Sequence, residues 1–462
     1  MNSDDCLRET ISGGVWIFLG STASSLIGFL FWFVITWLTG AKIVGIASSV
    51  ASSAYISANM ICAGINIAVM REIAASGEKA FTSALFLAAT LGAAAAVIAI
   101  PLTLLLGYGN LCPLASILAG AGVLSVVLRS SLIGFEKFRS SFVALLSGSV
   151  VKLVLGAALV ALGLGAEGAL LGYASMPVVV SIMALLLLLP NVKDLDLSEL
   201  KELVSLSISN YPYVFSNQTV VMLSVYLFAY LTGKEILTGI LYISLMIVLA
   251  MASVSNSVLN AALPIGTRRD VDPFVESFRI GLGMVTPVLV LILPLSGEIL
   301  RILNLELLPG SDVLRILLLS TAPFSVITAI TMKLNKEKRK REISSLGSLR
   351  LILLAVLLPV MAEIWDVEGA ALAFLLANAV PTLAALRYDQ TFSRYLLIFW
   401  SLHLFAYVMS IFTAVPLAAS ILSLTVTFAI MQLSKSLTLK EIKYVLALAA
   451  SSVRRGDRWG RR

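Results

Sequence analysis

The sequence predicts an all-α integral membrane protein with about fourteen transmembrane helices. Three observations lead to this prediction: the composition, the recurrence of long apolar runs, and the positions of the basic residues. Of the 462 residues, 59% are hydrophobic and only 13% are charged, and the mean hydropathy is +0.98. A soluble domain carries about 25% charged residues. Apolar runs of about 20 residues recur along the chain, and each is long enough to cross a bilayer core of about 30 Å.

Polar breaks and Gly/Pro residues divide the chain into the predicted helices. The polar N-terminal segment MNSDDCLRETISGG precedes an apolar run that lacks a small-residue cleavage site and is too long for a signal peptide, so this run is predicted to be an uncleaved first span. Near the start of helix 7, Tyr211-Pro212 is expected to break the helix locally. The predicted helices cover residues 15–37, 43–68, 80–107, 113–133, 141–162, 168–190, 204–231, 236–262, 279–297, 313–332, 344–362, 367–386, 394–412 and 416–433.

The basic residues orient these helices. With the N-terminus in the cytoplasm, 28 of the 33 Lys and Arg residues fall on the cytoplasmic side or at span ends that face it, and only Lys152 lies deep within a span. The four that fall outside are Lys42, Lys234, Arg301 and Arg315. This distribution follows the positive-inside rule and predicts a multi-pass protein of the cytoplasmic membrane with both termini in the cytoplasm. The net charge of +7 is then explained by orientation and by contact with anionic lipid headgroups rather than by nucleic-acid binding.

Three short stretches occur twice in the same order, which indicates an internal duplication. WLTGAKIVGI at 37–46 matches YLTGKEILTGI at 230–240, EKFR at 136–139 matches EKRK at 337–340, and GAEGALLGY at 165–173 matches DVEGAALAF at 366–374. Each copy holds six predicted spans, so both copies insert in the same direction. We predict two parallel six-helix lobes at 1–192 and 193–390, called here the first and second repeat. Two additional helices at 391–433 and a basic cytoplasmic tail at 434–462 follow.

Polar side chains within the spans concentrate on helices 1, 2, 7 and 8. Polar groups at membrane depth must face protein or a water-filled cavity, so these faces predict a hydrated cleft between the two lobes. The alternative is that the polar groups only form hydrogen bonds between packed helices. The predicted cleft residues from these helices are Ser25, Trp32, Ser52, Asn59, Asn66, Asn210, Asn217, Gln218, Asn256 and Asn260.

Two cations are further candidates for the cleft. Lys152 lies about 16 Å into the membrane core, where a charge is costly, and its counterpart in the second repeat is Arg350, since GSVVK and GSLR follow the matched basic loops. Lys152 either extends to the cytoplasmic headgroups or meets an anionic group of a substrate. Arg71, near the end of helix 2, is a second candidate cation or a topology anchor paired with Glu72.

The sequence contains no pattern typical of an enzyme, a metal site or a cofactor site. The three cysteines are far apart, His403 is the only histidine, and all 26 acidic residues fall in predicted loops or at helix ends. The GxGxxG pattern of Gly163, Gly165 and Gly168 forms an outer turn between two predicted membrane helices, without the strand that a nucleotide-binding motif requires. We therefore predict no catalytic residues, no metal and no cofactor.

The sequence resembles a known transporter family. LTGAKIVGIASSVASSAYISANMICAGINIAVMREIA, with Gly64 and Arg71 late in helix 2, and GFEKFRSSF followed by GLGAEGALLGY, are similar to the polysaccharide-biosynthesis flippases of the MOP superfamily. This resemblance implies a V-shaped pair of six-helix bundles lined by helices 1, 2, 7 and 8. It also implies that cations of the cavity, here Arg71 and Lys152, receive the pyrophosphate of a lipid-linked sugar.

The residues and the resemblance together predict a flippase that moves a polyprenyl-linked oligosaccharide across the membrane by alternating access of its two lobes. Its expected partners are the lipid-linked glycan, anionic membrane lipids and enzymes of glycan assembly. One alternative is a cation-coupled multidrug exporter of the same fold, although such relatives rely on buried carboxylates. The other is a membrane glycosyltransferase or polymerase, for which Glu363, Asp366 and Glu368 are the only clustered acids in the outer loops.

Overall fold

We analysed a computed structural model of the protein. It describes residues 3–269, 272–413 and 415–437; the side chains of 3–15, 18, 209, 210, 212, 213, 217, 257, 258 and 260–269 lie outside the description. All regular secondary structure in the described part is helical, which confirms the predicted all-α class.

The described part of the chain forms fifteen α-helices, with short 3-10 segments at 109–111, 189–191 and 305–310. The first repeat contains α1 Ser3–Cys62, α2 Ile65–Ser76, α3 Glu78–Leu105, α4 Cys112–Gly134, α5 Phe138–Leu159 and α6 Gly165–Leu188. The second contains α7 Leu197–Thr232, α8 Glu235–Arg269, α9 Phe274–Ile292, α10 Ser296–Leu303, α11 Ser311–Leu319, α12 Thr321–Lys336 and α13 Lys340–Ala385. The chain continues with α14 Thr391–Phe412 and α15 Pro416–Leu433.

Helix α1 is a hairpin of two helices, not one long rod. Its backbone leaves the helical conformation at Gly40, where φ is 78°. Trp32 and Tyr55 lie on either side of this break, and their ring centroids are 5.2 Å and 5.9 Å from that of Tyr173. A straight helix would separate two residues 23 positions apart by about 34 Å. The chain therefore reverses at Gly40, as predicted for the turn between helices 1 and 2.

The third pair of repeated stretches builds two equivalent helix crossings. In the first repeat, a Cβ atom on Gly168 would lie 3.0 Å from the backbone of Leu159, and in the second a Cβ on Gly369 would collide with the carbonyl oxygen of Met361. Both glycines follow a chain reversal, at Val160–Leu164 and at Trp365–Asp366. Glycine at each position lets two antiparallel helices approach within backbone contact.

The basic stretches also form equivalent turns, with a register one residue different from the sequence match. Glu136 and Lys338 both adopt φ of 59°. The amide of Lys137 donates to the carbonyl of Leu132, and the amide of Arg339 donates to that of Leu334. These two bonds close the C-terminal ends of α4 and α12 in the same way. The turns thus align Lys137 with Arg339 as the residues preceding α5 and α13.

Three predicted helices differ from the structure in their continuity. Helix 2 is interrupted at Gly64, where φ is 89°, and continues as α2. The predicted helix 313–332 is divided at Ser320 into α11 and α12. The predicted break at Tyr211-Pro212 is wrong, since α7 is helical through both residues. A proline removes only one helical hydrogen bond, and the packing of α7 between α1, α2 and α13 outweighs that loss.

Ten helical segments in the described part are long and apolar enough to cross a membrane. Three of them, at 19–62, 138–191 and 340–385, contain a chain reversal. The count of fourteen spans and the lobe boundaries at residues 192 and 390 stay predictions. Helices α14 and α15 pack against the second repeat through α9, with Trp400 Nε1 donating to the carbonyl of Leu319 and Ser420 Oγ to that of Leu291.

The two ends of the helix bundle differ in charge. We call them the Gly40 end, which carries the reversals at Gly40, Gly163, Gly233 and Asp366, and the Glu136 end, which carries the basic turns. The four cations predicted outside lie at or near the Gly40 end, and each is in an ion pair: Lys42 with Glu235, Lys234 with Asp366, Arg301 with Glu298, and Arg315 with Asp312.

Close backbone packing of α5 and α6 predicts a strong effect of a single methyl group. A Cβ atom on Gly172 would collide with the backbone of Gly156, whereas nothing lies within 4 Å of a Cβ on Gly122 of α4. We expect Gly172→Ala to destabilise the protein by about 1–3 kcal/mol because the helices must separate, and Gly122→Ala to be neutral or slightly stabilising. Thermal unfolding of both purified variants in detergent measures this, and equal melting temperatures would contradict the prediction.

Candidate substrate cleft

The two repeats meet most closely where α1 crosses α8, at the repeated sequence itself. A Cβ atom on Gly45 would collide with the carbonyl oxygen of Glu235, and a Cβ on Gly239 with the carbonyl oxygen of Ala41. The second glycine of each copy thus packs against the backbone of the other copy. This reciprocal contact explains why both copies have glycine at this point: any side chain would hold the two helices apart.

A segment of the second repeat caps both helices of the α1 hairpin. The amide of Ala41, at the N-terminus of the second helix, donates to Glu306 Oε2 at 2.8 Å, and Asn304 Nδ2 donates to the carbonyl of Thr36 near the C-terminus of the first at 3.2 Å. Such terminal groups have no partner within their own helix. A Cβ on Gly40 would collide with the Glu306 carboxylate, so the glycine also makes room for the cap.

Further polar contacts close the Gly40 end between the repeats. Lys42 Nζ lies 3.3 Å from Glu235 Oε2, and the Tyr108 hydroxyl donates to Glu235 Oε1 at 3.1 Å. Burial, together with the neighbouring Glu235 carboxylate, raises the pKa of the Tyr108 phenol, which keeps it a hydrogen-bond donor. With the glycine crossing and the helix caps, these contacts close any cleft between the repeats at this end.

Below this closure, five aromatic side chains from both repeats form a cluster around Tyr173. Its ring centroid lies 5.7 Å from that of Phe31, 5.2 Å from that of Trp32 and 5.9 Å from that of Tyr55. Trp32 in turn packs edge-on at 4.8 Å against Tyr242 of α8. The Trp32–Tyr242 contact joins the first repeat to the second. We call Phe31, Trp32, Tyr55, Tyr173 and Tyr242 the aromatic cluster.

Lys152 points into this cluster and not toward the headgroups. Only 4% of the residue is exposed, and its Nζ lies 5.2 Å from the ring centroid of Tyr173 and 5.6 Å from that of Phe31. Of the two alternatives for this residue, extension to the headgroups is therefore not the conformation seen in the structure. The rings accept the ammonium through cation–π contacts, and no ion pair with a described carboxylate neutralises it.

Polar residues on the first helix of α1 lie near this lysine. A Cβ on Gly28 would lie 3.4 Å from Lys152 Nζ, so the ammonium lies directly beside the backbone of this glycine. Ser25, one turn before Gly28, is exposed, and Ser149 Oγ donates to Ser24 Oγ at 2.9 Å. Ser25, Gly28 and Trp32 share one helix face by their spacing of three and four residues. The predicted residues Ser25 and Trp32 therefore lie on the same face of α1 as Gly28, which is beside Lys152.

The other predicted residues of the first repeat are divided between the core and the surface. Ser52 is fully buried, with its hydroxyl 3.6 Å from Met222 Sδ of α7, and Asn59 is 9% exposed. Asn66 lies beyond the break at Gly64 and is half-buried. The side chain of Arg71 is 67% exposed and lies 3.7 Å from Glu72. The structure thus agrees with the anchor interpretation of Arg71 and separates this residue from the Lys152 environment.

In the second repeat, Gln218 of α7 is exposed and Asn256 of α8 is half-buried. The side chains of Asn210, Asn217 and Asn260 lie outside the described residues. The inner part of this repeat contains Arg350, which is 3% exposed, with its guanidinium carbon 4.8 Å from the ring centroid of Phe324. It lines a small cavity, part of it open to solvent, together with residues of α7 and α12.

Sequence reasoning missed most of the aromatic cluster. It selected Trp32 but not Phe31, Tyr55, Tyr173 or Tyr242, because it searched the helices for amides and hydroxyls. Tyr173 ends the repeated stretch GAEGALLGY and could have been chosen from that position. The remaining aromatic residues have no distinguishing spacing, and only the folded chain brings them together around Lys152.

Comparison with solved structures identifies the architecture. A structure described as the lipid II flippase MurJ in an inward closed conformation matches with a TM-score of 0.70 at 14% identity, over 90% of this chain and 99% of that one. An inward-facing multidrug resistance MATE family transporter of the MOP superfamily matches with a TM-score of 0.62 at 15% identity, over 82% of this chain and 98% of that one. An outward-facing multidrug resistance MATE family transporter of the MOP superfamily matches with a TM-score of 0.54 at 15% identity, over 84% of this chain and 96% of that one. No protein-family model matches the sequence, and no curated protein matches it.

The chain has the fold of the MOP-superfamily transporters. The predicted resemblance to this superfamily is confirmed at the level of the fold, and the polysaccharide branch stays a prediction. Within the MOP fold, the observed contacts describe a state in which the Gly40 end is closed between the repeats.

The cap formed by Glu306 predicts how this closed state can be weakened. Glu306→Ala removes a charge-assisted hydrogen bond between the repeats, worth about 1.5–3 kcal/mol. We expect the population open at the Gly40 end to increase about tenfold or more. Spin labels at the exposed positions Leu162 and Ile364, in a background without native cysteines, report the separation of the repeats by double electron–electron resonance.

Glu298→Ala is the matched control, because this acid lies at the same end and forms its ion pair with Arg301 of its own helix. Its distance distribution should equal that of the unmodified protein. A Glu306→Ala distribution without an added long-distance component would contradict the role assigned to the cap.

Proposed function

We propose that the protein is a transporter of the MOP fold that moves a polyprenyl-linked oligosaccharide across the cytoplasmic membrane by alternating access of its two repeats. The observation that carries this proposal is the environment of Lys152. Its ammonium lies among aromatic rings and beside the backbone of Gly28. A buried cation without a carboxylate partner attracts an anionic group, and the phosphate next to a glycan is such a group.

The charges at membrane depth favour an anionic cargo over a cationic one. In the described part of the transmembrane region, the buried charged residues well inside the bundle are Lys152 and Arg350. The one buried acid among the residues that the structure describes, Glu72, lies near the end of α2, at the Glu136 end. An organic cation would meet only repulsion at these two positions, so a multidrug exporter of the same fold is the weaker hypothesis.

The aromatic cluster suits the sugar part of the cargo. Aromatic faces provide broad contact area, and Tyr55, Tyr173 and Tyr242 each bring a hydroxyl group to the cluster. Tyrosine combines an apolar ring with a hydrogen-bonding group, which matches the alternating apolar and hydroxyl surfaces of a saccharide. Opening the Trp32–Tyr242 contact would expose these groups to a ligand.

A glycosyltransferase or polymerase is the weaker enzyme hypothesis. Of its candidate acids, Asp366 forms an ion pair with Lys234 and lies in the turn of α13, with φ of 54°. This pairing gives the carboxylate a structural role. No group of three or more His, Cys, Asp or Glu that could hold a metal ion occurs among the described residues.

The charge difference between the ends supports the orientation. Basic turns at the Glu136 end and paired cations at the Gly40 end follow the positive-inside rule if the Glu136 end is cytoplasmic. In this orientation, the closed Gly40 end is the outer one. The cargo would then bind from the cytoplasmic side, where glycan-assembly enzymes supply it, and the basic turns would contact anionic lipid headgroups.

Transport by reconstituted protein tests this function. Proteoliposomes containing a fluorescent polyprenyl-pyrophosphate-linked oligosaccharide should show protein-dependent movement between leaflets, measured by an impermeant quencher. We expect Lys152→Met to slow this movement about tenfold to a hundredfold, since a charge-assisted contact worth about 1.5–3 kcal/mol is lost.

Arg139→Met is the matched control, because Arg139 is an exposed cation on the same helix; its rate should be unchanged. Lys152→Arg should retain part of the activity. An undiminished rate in Lys152→Met would refute the role of the lysine. Efflux of an organic cation such as ethidium, without movement of the glycolipid, would favour the exporter instead.

A further inference from the structure

The second helix of the α1 hairpin is followed by a break and not by a smooth continuation into α2. It ends at Cys62, α2 begins at Ile65, and Gly64 between them has φ of 89°. This left-handed conformation is readily adopted only by glycine. No proline lies between residues 41 and 76, so a continuous helix through Gly64 is sterically possible as well. The chain can thus form either a broken or a continuous helix at this point.

The break changes the hydrogen-bond partner of one backbone carbonyl. In a continuous helix the amide of Gly64 would donate to the carbonyl of Met60. This bond is absent among the described residues, whereas the preceding one, from the amide of Ala63 to the carbonyl of Asn59, is present at 3.2 Å. The hydroxyl of Tyr211 on α7 donates to the Met60 carbonyl instead, at 3.0 Å. One acceptor of the first repeat therefore has two alternative donors, an amide of its own repeat and a hydroxyl of the second repeat.

The Tyr211 ring is held in position for this bond. It stacks on Phe215, one turn later on α7, with ring centroids 5.3 Å apart and an angle of 10° between the planes. The same two helices also meet nearer the Gly40 end, where the Ser52 hydroxyl lies 3.6 Å from Met222 Sδ. The Tyr211 bond extends this contact between the repeats toward the Glu136 end.

Helix α2 is attached to the first repeat at its other end. A Cβ atom on Gly134 of α4 would lie 2.9 Å from Ile73 Cβ and 3.1 Å from the carbonyl oxygen of Met70, so α2 and α4 are in close contact. In the state described, α2 also packs against α7 of the second repeat. A change of the backbone angle at Gly64 therefore changes the position of α2 relative to α7.

We propose that Gly64 and Tyr211 form a latch that closes the contact between the repeats toward the Glu136 end. In the closed latch, Tyr211 is the donor to the Met60 carbonyl, the helix is broken, and α2 lies against α7. In the open latch, Gly64 is helical, its own amide is the donor to this carbonyl, and α2 continues the direction of α1 away from α7. The inference takes the movement of the repeats from the proposed function, and it is independent of the identity of the cargo.

The latch is weaker than the closure at the Gly40 end. A hydroxyl and a carbonyl form a neutral hydrogen bond, whereas the bond from Ala41 to Glu306 has an ionised acceptor. Charge-assisted bonds are roughly twice as strong as neutral ones. The Gly40 end has the glycine crossing of α1 and α8 in addition. From the state described, the Glu136 end should therefore open more readily than the Gly40 end.

The test measures the separation of the repeats at the Glu136 end in full-length protein in nanodiscs, without cargo. Spin labels at the exposed positions Ala75 of α2 and Arg341 of α13, in a background without native cysteines, report this distance by double electron–electron resonance. Tyr211→Phe keeps the ring and removes only the hydroxyl. We expect it to increase the ratio of the long-distance to the short-distance population about twofold to tenfold, the effect of losing one neutral hydrogen bond. Gly64→Ala should shift the ratio in the same direction, because alanine disfavours the left-handed conformation.

Each variant has a matched control. Tyr226→Phe also removes a hydroxyl of α7 that donates to a carbonyl of the first repeat, that of Leu102 at 3.1 Å, but nearer the Gly40 end. Gly107→Ala places alanine at another left-handed glycine, with φ of 84° and nothing within 4 Å of the added Cβ, in the turn between α3 and α4. Both controls should leave the distance between the labels unchanged.

Equal distance distributions in the background, Tyr211→Phe and Gly64→Ala would overturn the latch. A shift in Gly107→Ala as large as that in Gly64→Ala would also overturn it, because the shift would then follow from a general loss of stability. If Gly64→Ala does not fold, Tyr211→Phe decides the question. A response of the latch in a protein that moves no glycolipid would refute the proposed cargo while leaving the latch intact.

Discussion

The structure depends on a backbone contact between the two repeats. At the crossing of α1 and α8, Gly45 and Gly239 leave no side chain between the helices, and each packs against a carbonyl of the other copy. Between membrane helices there is little hydrophobic driving force, so close packing and hydrogen bonds must supply the association. The glycine crossing brings Glu306 and Asn304 within reach of the free backbone groups at the Gly40 reversal.

The glycine crossing of α1 and α8 also positions the aromatic cluster around Lys152. With the repeats in contact at the Gly40 end, Trp32 meets Tyr242, and the aromatic cluster closes over Lys152. The ammonium is then held by ring faces, away from both the headgroups and any described carboxylate. A separation of the repeats would open the Trp32–Tyr242 contact and the helix caps together, because all of them join the same two helices or their ends. The closure at the Gly40 end and the aromatic cluster around Lys152 thus belong to one interface.

The two repeats have a similar backbone but place different side chains around their buried cations. The turns at Glu136 and Lys338 have the same backbone conformation, and Gly168 and Gly369 make equivalent crossings. Lys152 of the first repeat contacts Phe31 and Tyr173, whereas Arg350 of the second repeat contacts Phe324. Arg350 lies about one helical turn nearer the Glu136 end than Lys152. The two repeats therefore share a backbone arrangement but hold their buried cations at different depths.

The sequence alone determined the helical class, most helix bounds and the charge difference between the ends, since these follow from runs of 20 apolar residues and from counted lysines and arginines. It also identified the repeated glycines and Lys152, because glycine and charge stand out at membrane depth. Only the tertiary structure decided where Lys152 points, that Arg71 is a surface residue, and that Phe31, Tyr55, Tyr173 and Tyr242 surround the ammonium. The reason is physical: hydropathy and spacing are local properties of one helix, whereas the partner of a buried side chain depends on which helices pack together and in which register.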